Sequence, residues 1–251
     1  MADRNIKHVV AVASGKGGVG KSSVTVLTAL GLARRGYRVG IMDADITGPS
    51  IPGMFGMEGF PEKDASGFIL PRVSREGIRI ISTNLLLEDA TQPVLWKGPI
   101  VGKMVGQFWN DVSWGDLDFL MVDMPPGTGD VPLTVFQILP LDGVLMVTSP
   151  QDLAGMVVGK AIRMAEKMDK PVLGLVENMS YLICPGCEEP YELFGRSHAG
   201  ELAEKFSLPL LGKLPVDPAQ AELSDQGRMD DYVLPEEIAP VVDALERLTG
   251  K

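Results

Sequence analysis

Along the chain, short runs of aliphatic and β-branched residues alternate with longer segments in which apolar positions return every three or four residues. The runs predict strands at Val9–Ala13, Arg38–Met42, Ile78–Ser82, Phe119–Val122, Val144–Thr148, Val172–Val176 and Leu210–Lys213. The longer segments predict helices at Ser22–Arg35, Ile100–Asp111, Leu153–Lys167, Arg196–Phe206 and Glu236–Leu248. Alternation of this kind predicts an α/β fold, a mostly parallel sheet with helices on both faces. No Pro- or Ser-rich linker, internal repeat or low-complexity tract divides the pattern, so residues 1–251 are expected to form one domain. The least regular stretch, Gly48–Pro71, is rich in Gly and Pro and holds Met54, Phe55, Met57 and Phe60. Such a stretch suits an interface or a moving cover as well as a loop packed on its own side chains.

Composition acts mainly by exclusion. With 45% hydrophobic and 22% charged residues, the chain is neither disordered, nor collagen-like, nor a disulfide-stapled miniprotein. Lys and Arg number 23 against 33 Asp and Glu, a formal net charge of −10. That field repels phosphate backbones and anionic lipid, so neither a nucleic acid nor a membrane is expected as a partner. A small local site for a phosphorylated ligand is still compatible with it. No apolar run approaches the roughly 18 to 20 residues of a membrane span. The run Val9–Ala13 is too short for a signal-peptide core, and a cytoplasmic location is expected.

Between the first strand and the first helix stands Gly15-Lys16-Gly17-Gly18-Val19-Gly20-Lys21-Ser22, which fits the phosphate-binding pattern G-x-x-x-x-G-K-[ST] of P-loop NTPases. Its glycines let successive backbone N–H groups turn inward around a phosphate, and the helix that follows aims its positive end at the same spot. Lys21 supplies a charge for the β/γ-phosphates, and the Ser22 hydroxyl can ligate Mg²⁺. Lys16, at the mouth of the loop, is either a solvated cation or one that reaches the phosphates of a partner subunit, as an arginine finger does. Two strands end in acids, at Asp43-Ala44-Asp45 and at Asp123, the latter followed by Met124-Pro125-Pro126-Gly127-Thr128-Gly129-Asp130. Ligands of open α/β sheets sit beyond these carboxyl ends. Asp123 is therefore expected to hold Mg²⁺ directly or through water, and Asp45, rather than Asp43, to orient the attacking water. The glycines after Asp123 suit a sensor of the γ-phosphate, while Asp130 alternatively caps the next helix and Asp43 a turn.

Cys184 and Cys187 are the only cysteines, and Pro185-Gly186 between them favours a tight turn that points both sulfurs at one centre. A tetrahedral zinc site or a four-thiolate cluster needs four ligands, and the chain offers two. His198 or Glu188 could complete a mixed site, or two copies of the chain could pool their cysteines. A redox pair and inert thiols stay open as rivals, although a redox pair normally lies beside a helix start.

With these features in place, the chain resembles the deviant Walker A ATPases, the class of the nitrogenase iron protein and of septum-positioning and plasmid-partitioning ATPases. More closely, Asp45-Ile-Thr-Gly-Pro-Ser50, Trp96-Lys-Gly-Pro99, Trp114-Gly-Asp-Leu-Asp118 and Glu177-Asn-Met-Ser180 followed by Cys184-Pro-Gly-Cys187 resemble the Mrp family of iron–sulfur cluster carrier proteins. The resemblance runs from Val9 to about Pro218. It implies a homodimeric ATPase using ATP and Mg²⁺, which binds a [4Fe–4S] cluster at the dimer interface and passes it to apoproteins. It implies that Lys16 reaches across the ATP-bound dimer and that Lys21 and Ser22 serve phosphate and Mg²⁺. Asp45 matches a first-switch aspartate tied to hydrolysis, Asp123 the aspartate near Mg²⁺, and Asn178 an adenine-recognising asparagine. Cys184 and Cys187, in an inserted loop near residues 178–190, match cluster ligands. Many members carry a further small N-terminal domain, expected to be absent here because the first strand begins by Val9. The alternative is a positioning or partitioning switch. The apolar stripe of Glu236–Leu248 faces an acidic side with Glu236, Glu237, Asp243 and Glu246, so that helix is expected to dock on the core rather than on lipid.

Overall fold

The structure is a computed structural model that describes residues 4–45, 48, 50–86, 98–151 and 155–250. Its first strand, β1 (Arg4–Ser14), shows why the runs are apolar throughout. Val9, Ala11 and Ala13 enter the core on one face, and Val10 and Val12 enter the core on the other. After it come α1 (Lys21–Arg34), β2 (Val39–Asp43), the single turn α2 (Ile51–Met54), β3 (Arg72–Val73) and β4 (Arg79–Ser82). Then follow α3 (Gly98–Asn110), β5 (Gly115–Asp123), α4 (Asp130–Ile138), β6 (Gly143–Thr148), α5 (Gly155–Lys167) and β7 (Val172–Ile183). The chain continues with β8 (Pro190–Tyr191), α6 (Ala199–Lys205), β9 (Leu210–Pro215), α7 (Pro218–Asp225) and α8 (Ala239–Glu246).

The sheet order is β3-β4-β2-β5-β1-β6-β7, with β9 on the far side of β7. All these neighbours are parallel except β3 with β4, while β8 pairs antiparallel with the end of β7. Helices α3, α4, α5 and α6 cover one face, and α1, α2 and α8 the other. The expected α/β architecture is therefore present, and β1 lies between β5 and β6 at its centre. The register Asp43↔Asp123 and Val12↔Asp123 aligns the carboxyl ends of β2, β5 and β1 at one edge.

Several expected elements differ in extent. The strand expected at Val172–Val176 continues to Ile183, so it carries the chain to the first cysteine. Helices α4 and α7 stand outside the expected set. The short α4 follows the Pro–Gly segment that masks its start, and α7 buries no residue, leaving no apolar stripe to read. The segment Glu236–Leu248 is not one helix. Pro240 has no N–H to give the preceding turn, so Glu236–Ile238 is 3₁₀, α8 follows, and Arg247–Thr249 is again 3₁₀. It docks on the core, as expected, through Val241, Val242 and Leu245. Within Gly48–Pro71, Ile51, Met54 and Phe55 are buried in the core, which ties that end of the stretch down, whereas Phe60 is exposed. Trp96 and Lys97 of the Trp96–Pro99 motif, Ile46, Thr47 and Pro49 of the Asp45–Ser50 motif, and the first two residues of the helix expected from Leu153 lie outside the described residues.

Candidate nucleotide site and cysteine hairpin

Residues Gly15–Ser22 form the turn between β1 and α1. Gly18 and Gly20 have φ of 80° and 76°, the left-handed region that a side chain disfavours. Gly15 has a different reason to be glycine, since a Cβ there would sit 2.7 Å from the backbone of Val157 in α5. The turn encloses a cavity of about 280 Å³, lined by Lys16, Gly17, Gly18, Val19, Gly20, Lys21, Ser22 and Asp45 among others. Lys16 is half-buried at its mouth.

Beneath the cavity, three carboxylates gather around one ammonium. Lys21 is buried, with Nζ 2.8 Å from Asp123 Oδ2 and 3.4 Å from Asp45 Oδ2. An ammonium carries three donors, so these two carboxylates do not exhaust those of Lys21. Asp123 also accepts from Ser22 Oγ at 2.6 Å and from Thr25 Oγ1 at 2.8 Å. The hydroxyl and carboxylate suited to Mg²⁺ are thus adjacent. Asp43 is fully buried, accepting from Ser82 Oγ at 3.0 Å and from the Asp45 N–H at 3.2 Å. Burial, and then the neighbouring Asp123 charge, push its carboxyl up to about 8 against the opposing pull of Lys21. Of the Asp43–Asp45 pair, Asp45 lines the cavity.

Thr25 and Ser82 join this constellation without having been singled out in the sequence. Thr25 left a faint signal as a polar position on the buried side of α1. Ser82 left none, because only the β4-β2-β5 order brings it beside Asp43. Asn178, on β7, reaches the same turn from the other side, donating from Nδ2 to the Val19 carbonyl at 3.1 Å.

The cysteines stand apart from this cluster, at the tip of the β7–β8 hairpin. Leu182 pairs with Tyr191 and Ile183 with Pro190, and the tip closes through Glu188 N–H to Cys184 O at 2.8 Å and Cys184 N–H to Glu189 O at 3.0 Å. Cys184 is half-buried and Cys187 exposed, with no disulfide between them. The Gly186 N–H, then the Cys187 N–H and side chain, donate toward the Cys184 sulfur and lower its pKa, favouring thiolate. Among the described residues no group of three or more His, Cys, Asp and Glu side chains is arranged to hold a metal ion. His198 faces Glu201 at 3.3 Å, and among the described residues neither it nor Glu188 joins the cysteines in such a group.

A family model described as NUBPL iron-transfer P-loop NTPase, of the ParA group, matches residues 5–250. An iron-sulfur cluster carrier protein of Aquifex aeolicus is 44% identical over 223 residues, covering 88% of this chain and 61% of the relative, so the chain spans about three-fifths of that protein. A protein of the same name from Clostridium perfringens is 44% identical over 236 residues, 91% of this chain and 83% of the relative. Among solved structures, a nucleotide-binding protein from Archaeoglobus fulgidus in complex with ADP superposes with a TM-score of 0.83 at 43% identity, covering 93% of this chain and 91% of that one. Fold, phosphate turn and sequence agree: the chain belongs to the NUBPL iron-transfer P-loop NTPase family.

Proposed function

We propose that the protein is an ATP-hydrolysing carrier that holds a [4Fe–4S] cluster between two copies of itself and delivers it to apoproteins in the cytoplasm. The observation that supports this most is the cysteine hairpin, which presents two thiols at its tip and finds no third ligand among the described residues. A four-thiolate cluster then needs a second copy, and two-fold symmetry supplies it without any further motif. The relatives named as iron–sulfur carriers favour iron and sulfide over zinc as cargo.

The phosphate turn supplies the nucleotide half. Gly15, Gly17, Gly18, Val19 and Gly20 would hold the phosphates with backbone N–H groups, and Lys21 would neutralise charge on the β/γ-oxygens. Mg²⁺, held at Ser22 with Asp123 nearby, would neutralise charge between the phosphates. Asp45 faces the cavity and orients the attacking water, while Lys16 reaches from each copy toward the other's phosphates. Asn178 serves the adenine end. Docking of the Glu236–Leu248 segment in the core gives no support to a membrane-positioning switch.

Iron and sulfide content after anaerobic reconstitution tests the proposal. One four-iron cluster per two chains is expected, and either Cys184→Ser or Cys187→Ser should abolish stable uptake while leaving nucleotide binding largely intact. Zinc in place of iron, or a fully occupied cluster on a monomer, would overturn it.

A further inference from the structure

Strand β7 touches both sites, and it is irregular between them. It pairs with β6 from Val172 to Glu177 and with β9 from Leu175, so Leu175–Glu177 is held on both sides. Beyond Glu177 the contact with β6 ends, and the register with β9 slips before resuming at Tyr181↔Pro215. Two residues fill the slip. Asn178 holds the Val19 carbonyl, which belongs to the same peptide unit as the Gly20 N–H of the phosphate turn. Met179 has φ of 57°, a left-handed conformation that is uncommon for a bulky residue and costs about 1–2 kcal/mol.

Both side chains close on Gly20. A Cβ there would meet Asn178 Nδ2 at 2.0 Å and Met179 Cε at 3.3 Å, so the turn and the strand fit only as a pair. Strain of this kind persists where the surroundings over-determine it, and it gathers at segments that switch. Past Met179 the strand is tied again, by Ser180 Oγ to Glu177, by the Tyr181 hydroxyl to Glu237 and the Val216 N–H to the Tyr181 carbonyl at 2.7 Å, and by β8 at Leu182 and Ile183, so the unpaired stretch is the short one around Asn178 and Met179. Cys184 follows six residues after Asn178, or about 20 Å of extended chain. Any phosphate that draws on the Gly20 N–H turns the peptide whose carbonyl Asn178 holds, and the least constrained response lies at Met179.

We propose that β7 couples occupancy of the phosphate turn to the geometry of the cysteine hairpin, with Asn178 as its grip on the turn and Met179 as its flexure. The inference rests on the nucleotide half of the proposed function and is independent of which metal or cluster the cysteines carry. Both residues are positioning residues here, acting on the thiols through the strand.

The test uses the cluster-free full-length protein. Alkylation rates of Cys184 and Cys187 by iodoacetamide are followed by mass spectrometry, with and without saturating Mg²⁺ and ADP. ADP is expected to change the Cys184 rate about fivefold or more. In Met179→Gly, which adopts the left-handed conformation without strain, that ratio should fall toward one while calorimetry still shows ADP bound. Amide exchange on the unmodified protein gives a second readout that needs no variant: ADP should alter protection of residues 180–191 as well as of the phosphate turn. Equal alkylation rates with and without bound ADP, an unchanged ratio in the folded variant, or ADP effects confined to the phosphate turn would each overturn the coupling. Loss of cluster uptake with the coupling intact would strike only the carrier reading.

Discussion

Lys21 illustrates how much one side chain does in this protein. Its ammonium lies 2.8 Å from Asp123 and 3.4 Å from Asp45, and offsets carboxylates that are mostly or wholly out of water. Replacing it with Ala therefore has two effects of different origin. The charge that meets the phosphates is lost, so steady-state ATP hydrolysis should fall by about a hundredfold or more. The carboxylates also lose their counter-charge, so the nucleotide-free variant should unfold at lower urea concentration, by about 3–5 kcal/mol at neutral pH. A Lys21→Ala protein with normal turnover would refute the assignment of this turn as the phosphate site. The motif made Lys21 legible because glycines, lysine and serine lie within eight consecutive positions. The contacts of Thr25 and Ser82 were not legible, since they depend on helix pitch and strand order rather than on neighbours in the chain.

At the scale of elements, the end of the sheet away from the phosphate turn has its own tie. Asp118 of β5 accepts from the Arg38 N–H at 2.9 Å and pairs with the Arg38 guanidinium and with Lys7 of β1, joining three strands. The Arg38 hydrogen bonds, and then Lys7, hold the Asp118 carboxyl well below the usual carboxylate range. A depressed folded-state pKa contributes stability that is complete above the unfolded value near about 4 and is lost as pH falls toward the folded value. Asp118→Asn should therefore destabilise the protein by about 1 kcal/mol at pH 7, because Lys7 and Arg38 are largely solvated. The gap between variant and parent in urea unfolding should close as the pH drops below about 4; a gap of constant size would mean that charge is not its source. Elements of this kind were legible to different degrees. Buried parallel strands announce themselves as unbroken apolar runs, and β2, β4, β6 and β9 fall close to their expected places, whereas β5 starts four residues before the expected Phe119. The extension of β7 to Ile183 was hidden, because Asn178, Ser180 and Tyr181 break the run although their neighbours are still paired.

For the whole molecule, the proposed pairing of two copies is tested through Lys16. If Lys16 completes the partner's site, Lys16→Ala should reduce hydrolysis more than nucleotide binding. Mixing it with Lys21→Ala should then restore part of the activity in heterodimers, each of which retains one composite site. Activity assays on mixtures, with mass spectrometry proving subunit exchange, would show this; mixed dimers as inactive as their parents would mean that Lys16 acts only in its own subunit or that turnover requires both sites. The central place of β1 has a further consequence, for how the chain is made. Among the described residues its first strand pairs with β5 and β6, and Arg4 meets Gly115, which is 111 positions later. At roughly 5–20 residues per second, a ribosome needs on the order of 6–20 s between those two residues. Throughout that interval the valines of β1 have no strand beside them, and the phosphate turn that β1 anchors has no floor. Nucleotide is therefore expected to give no protection to a chain that ends before β5.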